Sequence, residues 1–314
     1  MNVTMLKSQI DAVSSNISRV FLGKPEVIEM TLTAFFAQGH LLLDDVPGVG
    51  KTLLGQALAR SINASFARIQ FTSDLLPADV IGGDFYNQKT QEFQFERGPI
   101  FANIVLADEV NRTPPRTQSA TLEAMSERQT SVGGKTYELP NPFFVVATQN
   151  PVEFQGVYPL PEAQLDRFIM RLSVGYPNRQ AERMILDAHA SGSALGSISP
   201  VIELADALAI QNCVPEVTLE SSVTDYLLEI VESTRRVDDL ALGASPRASL
   251  AFARAVRAYA LVQGRDYVVP DDVKALAVPV LAHRILPRNV RREESQHVAV
   301  SFLERALASI PAPR

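Results

Sequence analysis

The sequence predicts an α/β fold: a doubly wound, mostly parallel five-stranded sheet, followed by a smaller all-helical domain. Three observations predict it. Five short apolar runs punctuate the first half of the chain: His40-Leu41-Leu42-Leu43, Phe66-Ala67-Arg68-Ile69-Gln70-Phe71, Ile104-Val105-Leu106-Ala107, Phe143-Phe144-Val145-Val146-Ala147 and Ile169-Met170-Arg171-Leu172-Ser173-Val174. Segments of helical composition, such as 52–62 and 115–128, separate them. After Tyr176-Pro177-Asn178 the strand-like runs cease, and Ala/Leu/Arg-rich stretches take their place.

Each element follows from its pattern. Leu6, Ile10, Val13, Ile17 and Val20 recur at helical spacing, so the chain opens on an amphipathic helix rather than the apolar core of a signal peptide. Most of the five runs are continuously apolar, as expected of strands covered by helices on both faces. In such a sheet, ligands bind at the carboxyl ends of the strands. Two hairpin signals interrupt the pattern. In residues 84–97, Phe93 and Phe95 alternate with polar neighbours; in residues 130–139, a central Gly133-Gly134 suits a two-residue turn. Beyond residue 178, helical patterns run at about 179–190, 201–212, 218–236, 246–263, 270–285 and 292–309, with a Ser/Gly-rich loop at 191–199. The expected division is a core of residues 1–178 and a helical domain of residues 179–314.

Composition narrows the class. The formal charge of −6 over 314 residues argues against a chain devoted to coating nucleic acid, which wants a basic face. The single cysteine, Cys213, rules out an intrachain disulfide and suits a reducing compartment. The four histidines are scattered, with none at metal-ligand spacing from another. No apolar run approaches the roughly 20 residues that span a bilayer, so a cytoplasmic protein is expected.

The chemistry concentrates at the ends of two runs. Between the first run and the next helix lies Asp45-Val46-Pro47-Gly48-Val49-Gly50-Lys51-Thr52, continuing into Leu53. Small residues let backbone N–H groups converge on phosphate oxygens, and the helix presents its positive end. Lys51 is expected to reach the β- and γ-phosphates of ATP and Thr52 to ligate Mg²⁺. The motif departs from G-x-x-x-x-G-K-[ST] at its first position, where Asp45 replaces glycine. The third run ends in Asp108-Glu109. Two acids at the end of an apolar strand are costly without a cation nearby. Asp108 is placed to hold Mg²⁺ and Glu109 to polarise an attacking water.

With these elements in order, the chain resembles the MoxR family of AAA+ ATPases over nearly its whole length. The resemblance is carried by residues 43–52, by Ala107-Asp108-Glu109-Val110-Asn111-Arg112, by Ala147-Thr148-Gln149-Asn150-Pro151 and by residues 160–168. Similar proteins tolerate an acid at the position of Asp45. The resemblance implies that Asn150 is sensor 1, positioning the lytic water; a strand-end Asn capping the turn before Pro151 is the alternative. It implies that Arg167 is an arginine finger acting on a neighbour's nucleotide, hence a ring, expected to be a hexamer. Arg171 and Arg112 are lesser candidates for such trans contacts, and an intrachain salt bridge is the competing role for Arg167. Arg247, after the cap Ser245-Pro246, would be sensor 2, swinging from a helical lid onto the γ-phosphate; a solvated first-turn Arg is the alternative. Val20-Phe21-Leu22-Gly23 resembles the segment lining the adenine pocket, with Gly23 at the nucleotide. The hairpins fall where the family carries helix-2 and pre-sensor-1 inserts, with Phe85, Tyr86 and Lys135 as candidate client contacts and a packed Phe85 as the alternative.

The expected function is an ATP-driven remodelling or maturation chaperone acting on a partner protein, for which the resemblance suggests one with a von Willebrand factor A domain. Two other readings stand beside it: a nucleic-acid motor, disfavoured by the acidic chain, and a nucleotide-binding scaffold that scarcely hydrolyses.

Overall fold

The computed structural model describes residues 2–46, 48–150, 157–190 and 194–313. Pro47 of the phosphate loop and Pro151 beside Asn150 lie outside the described residues.

The chain runs α1 (Val3–Ser18), α2 (Pro25–Phe36), β1 (Leu41–Asp44), α3 (Lys51–Ser61) and β2 (Phe66–Gln70). It continues through the short α4 (Pro77–Ile81), β3 (Gly82–Asn87), β4 (Glu92–Arg97), β5 (Ile104–Asp108), α5 (Pro115–Glu127), β6 (Gln129–Val132), β7 (Lys135–Glu138) and β8 (Phe144–Gln149). After α6 (Glu162–Leu165) and β9 (Met170–Leu172) come α7 (Arg179–Ala190), α8 (Leu204–Cys213), α9 (Ser221–Ser233), β10 (Leu240–Leu242), α10 (Pro246–Val262), α11 (Pro270–Leu281), β11 (Leu286–Pro287) and α12 (Arg292–Ser309).

The five predicted runs form one parallel sheet in the order β2-β5-β8-β1-β9. Alternation along each strand feeds two apolar layers. Leu41, Leu43, Ile104, Leu106, Phe144 and Val146 face a layer shared with α1, α2, α3 and the later helices. Leu42, Val105, Ala107, Val145 and Ala147 face a smaller layer with Leu122, Met125 and Phe168. Two-sided burial is why the strands read as unbroken hydrophobic runs.

The helical part is not separate from this core. Its apolar cluster is continuous with the first layer through Phe252, Val256 and Leu261 of α10. Polar ties reinforce the contact: Gln211 Nε2 donates to Phe35 O at 2.7 Å, and Asn16 Nδ2 to Ser61 Oγ at 3.0 Å and Ser199 O at 2.9 Å. The expectation of an all-helical second part needs one correction. Leu240–Leu242 pairs antiparallel with Leu286–Pro287 in a small sheet. Strands of two or three residues are too short to show a period-two pattern, so composition alone reads them as loop.

Both hairpins form, as β3–β4 and β6–β7. Gly133 and Gly134 both have positive φ, +58° and +78°, as a tight hairpin turn requires. The hairpins lean on one another through Phe95 and Tyr137, whose rings stack at 3.9 Å. Phe85 does not pack inward. It is 57% exposed on one face of the hairpin, while Tyr86 and Phe93, paired across the strands, are exposed on the other.

Candidate functional site

The sheet order sets the carboxyl ends of β5, β8 and β1 side by side, about 5 Å from strand to strand. The phosphate loop leaves β1, Asp108-Glu109 end β5 and Asn150 follows β8, so the segments singled out in the sequence meet on one edge.

The loop turns through two left-handed glycines, Gly48 at φ +87° and Gly50 at φ +91°, and Gly50 serves as the N-cap of α3. A side chain at Gly50 would press to 3.2 Å from the Phe21 ring, and one at Gly23 would meet Ala181 Cβ at 2.2 Å. The segment 20–23 is thus wedged between the phosphate loop and α7. Lys51 is buried, with Nζ donating to Asp45 O at 2.9 Å.

Asp45 explains its own departure from glycine. Its φ is not in the left-handed region, so the position does not demand glycine. One carboxylate oxygen accepts from Gly175 N at 2.6 Å and Ser173 Oγ at 3.1 Å; the other accepts from Val46 N at 2.9 Å. The carboxylate ties the loop to the chain leaving β9, which no glycine could do.

Asp108 and Glu109 sit in a hydrogen-bond net that the sequence reading missed. Thr148, wholly buried on the neighbouring β8, donates its Oγ1 proton to Asp108 Oδ1 at 2.6 Å and accepts from Glu109 N at 2.8 Å. Arg68 Nη2 and Nε approach the other oxygen of Asp108 at 2.7 and 3.2 Å. Glu109 Oε2 accepts from Gln70 Nε2 at 2.8 Å and pairs with Arg112 Nη1 at 3.0 Å. Glu109 is left-handed (φ +59°, ψ +49°), a conformation costing a non-glycine residue of the order of 1–3 kcal/mol and typical of functional sites. Arg68 and Gln70 had a readable signal, two polar residues at period two within an otherwise apolar run. Thr148 had none beyond its place two residues before Asn150, which is 6% exposed just after β8.

These groups suit a phosphate-bound hard cation, since Mg²⁺ takes one or two protein oxygens and completes its shell with phosphate and water. Thr52, in the first turn of α3, offers a hydroxyl, and Asp108 a carboxylate. Val46, Val49 and Leu53 flank the turn that would hold the phosphates.

Arg167 and Arg247 lie elsewhere. Gly39 and His40 precede β1, and Arg167 and Ile169 precede β9; together they line a cavity of about 320 Å³ at the amino ends of the strands. From Gly39 to Asp45 is six residues, roughly 20 Å of extended chain at 3.3 Å per residue. The cavity gathers Arg128, Arg167, Arg247, Arg254 and Arg284 against a single carboxylate, Asp166. Arg247, Leu250, Ala251 and Arg254 form one face of α10, at the helical spacing of three, four and seven. Arg247, the expected sensor 2, thus stands at this cavity and away from its own chain's phosphate loop: α10 begins beside Asp166, to which Ser245 Oγ donates at 3.2 Å. Arg167 donates to Leu122 O. Arg171 bonds Asp44 and, at 2.7 Å, Gln296 Oε1, and Arg112 pairs with Glu109, so both lesser finger candidates are engaged within their own chain.

Comparisons with known proteins agree with this layout. Residues 40–170 match the model of the ATPase family associated with various cellular activities (AAA), and residues 232–301 match the AAA lid domain. YeaC, an uncharacterized protein of Bacillus subtilis, is 51% identical over 271 residues, covering 86% of this chain and 85% of YeaC. Chaperone MoxR1 of Mycobacterium tuberculosis is 44% identical over 279 residues, 86% of this chain and 74% of that protein. A crystal structure of a candidate ATPase from Cytophaga hutchinsonii superposes with a TM-score of 0.90 at 36% identity, covering 99% of this chain and 97% of that one. A parallel five-stranded sheet with a phosphate loop, a helical lid and these relatives leads to one assignment: the chain belongs to the MoxR family of AAA+ ATPases.

Proposed function

We propose that this protein hydrolyses ATP in a ring of like subunits, expected to be a hexamer, and uses the cycle to remodel or mature a partner protein. Residues 1–178 serve as the nucleotide-binding core and 179–314 as the lid. The carrying observation is the net at the carboxyl edge, where Thr148 fixes Asp108 and Glu109 beside the Lys51 loop. In this reading the backbone of residues 46–53, with an N–H donor at every position but Pro47, and the Lys51 ammonium hold the phosphates, and Gly23 borders the adenine. Thr52 and Asp108 hold Mg²⁺, which when bound neutralises phosphate charge. Glu109 takes up the proton of the attacking water, which Asn150 orients.

Arg167 and Arg247 act together on the nucleotide of the next subunit. Support comes from their shared cavity at the opposite edge of the sheet. A site split between two edges is completed by head-to-tail packing, which closes into a ring. Tyr86 and Phe93, paired on one face of the hairpin, Phe85 on the other and the exposed Lys135 on the joined hairpin are candidate contacts for a protein client, which the net charge of −6 favours over nucleic acid. The family resemblance suggests a client with a von Willebrand factor A domain. Among the described residues no helix is long and apolar enough to cross a membrane.

The test is complementation. Glu109→Gln and Arg167→Ala should each bind ATP yet turn over slowly. Mixed in equal amounts they should regain activity, because some interfaces then pair an intact Glu109 with an intact Arg167. Mixtures no more active than the two variants apart would refute the shared site.

A further inference from the structure

We propose that Arg284, in the lid, is the positioning residue for Arg167, fixing the turn that presents it to the neighbouring nucleotide; this rests on the shared-site reading above.

Arg284 follows α11 in a short 3₁₀ turn and is 6% exposed. Its Nη2 donates to Phe168 O at 2.8 Å and to Asp166 O at 3.3 Å, the carbonyls on either side of Arg167. Nη1 donates to Val280 O at 3.1 Å, anchoring the guanidinium to α11. Nε stands 3.0 Å from Asp166 Oδ1 as an ion pair without hydrogen-bond alignment. The adjacent His283 contributes a second contact to Phe168 O, through Nε2 at 3.0 Å. One planar cation thus holds the two carbonyls that flank Arg167 and pairs with the Asp166 carboxylate, a geometry that a lysine point charge cannot reproduce.

The same carboxylate reaches the other arm of the cavity. Asp166 Oδ2 accepts from Ser245 Oγ, the N-cap of α10, two residues before Arg247. Asp166 therefore links the turn bearing Arg167 to the helix bearing Arg247, and Arg284 holds that link from the lid.

Packing alone is a poor reason for such an arrangement. Burial pushes the Arg284 guanidinium down to about 10, and nearby Arg247 opposes its charge, while Asp166 favours it. It stays cationic at neutral pH at the expense of desolvation, and a buried ion pair generally stabilises no better than apolar residues of similar volume. What the pair does provide is a fixed orientation for one turn.

The experiment extends the complementation test with the full-length chain. Arg284→Lys and Asp166→Asn should keep ATP affinity within about twofold, since neither touches the phosphate loop, and lower turnover roughly 10- to 100-fold through a misplaced Arg167. Arg284→Lys should retain more activity than Arg284→Met, because charge survives although the fork does not. Mixing either of Arg284→Lys or Asp166→Asn with Glu109→Gln should restore activity as Arg167→Ala does, because the damaged subunit still supplies an intact Glu109. Thermal melts of each variant beside the parent chain separate a folding defect from a misplaced Arg167, since Asp166→Asn leaves the buried Arg284 without its counter-charge. If Arg167→Ala is rescued by Glu109→Gln but these variants are not, Arg284 serves its own subunit's site or fold and the inference falls. If Arg167→Ala is not rescued either, the shared site falls and this inference with it.

Discussion

The carboxyl and amino edges of the sheet both gather charged side chains, but they are assembled in different ways. At the carboxyl edge, each functional group lies at or just beyond the end of its own strand: Lys51 after β1, Asp108 and Glu109 at β5, Asn150 after β8. Parallel pairing then brings the groups together without help from the rest of the fold. At the amino edge, Arg128, Arg167, Arg247, Arg254 and Arg284 come from the end of α5, the turn before β9 and three points in the lid. That arrangement exists only once lid and core have docked. The carboxyl edge is thus a local construction and the amino edge a tertiary one, as expected if the first binds a nucleotide and the second senses a neighbour.

The comparison breaks most sharply under substitution of one cation from each edge. Lys51→Ala should weaken ATP binding on the order of 100-fold, the loss of charge-assisted bonds worth about 3 kcal/mol. Arg167→Ala should leave affinity nearly unchanged while turnover collapses. Calorimetric titration of both variants with a non-hydrolysable ATP analogue separates them. Equal losses of affinity would mean that the two edges are not distinct in function.

A smaller effect sharpens the account of the carboxyl edge. Asp45→Gly restores the usual glycine of the loop yet removes an ionised acceptor from Ser173, Gly175 and Val46. Hydrogen bonds to a charged group are each worth about 1.5–3 kcal/mol, so the variant should melt several degrees lower. A higher melting temperature would show that the carboxylate is only tolerated.

Legibility in the sequence follows the same division. The strands, the phosphate loop and the Asp108-Glu109 pair are local patterns, and the structure brings them together on one edge. Both hairpins were readable because Gly133-Gly134 and the Phe93/Phe95 alternation are short-range signals. Thr148 was not, since a buried threonine in a β-rich run looks like any other strand residue until its neighbour on β5 is known. The place of Arg247 is illegible for the same reason: Ser245-Pro246 announces a helix start but says nothing about which edge of the sheet that start faces. Arg284, amid an apolar helical tract, gave no sign that it would grip a turn 118 positions earlier through Asp166 O.

Acid should also tell the edges apart. His40 lines the amino-edge cavity and is buried, with Nδ1 accepting from Val145 N at 3.1 Å and Nε2–H donating to Met125 O at 3.0 Å. Both ring nitrogens are thereby used in the neutral form, and a second ring proton would point at the Val145 N–H donor. Burial is the main cause that pushes His40 down from 6.5 to about 4, and the charge of Arg128 adds to it. Because the folded value lies below the unfolded one, the unfolded chain takes up its proton first as the pH falls. The contribution is fully present above pH 6.5 and is lost progressively towards pH 4. Between pH 7 and pH 5 it amounts to about 2 kcal/mol of unfolding free energy from His40 alone. His283, buried at the turn after α11 and likewise held well below its usual value, adds in the same direction. Urea melts at pH 7, 6 and 5 measure the slope. His40→Gln, whose amide can donate and accept at similar points, should flatten it by that amount and leave ATP affinity at pH 7 unchanged. A slope unaltered by His40→Gln would place the acid-sensitive group elsewhere.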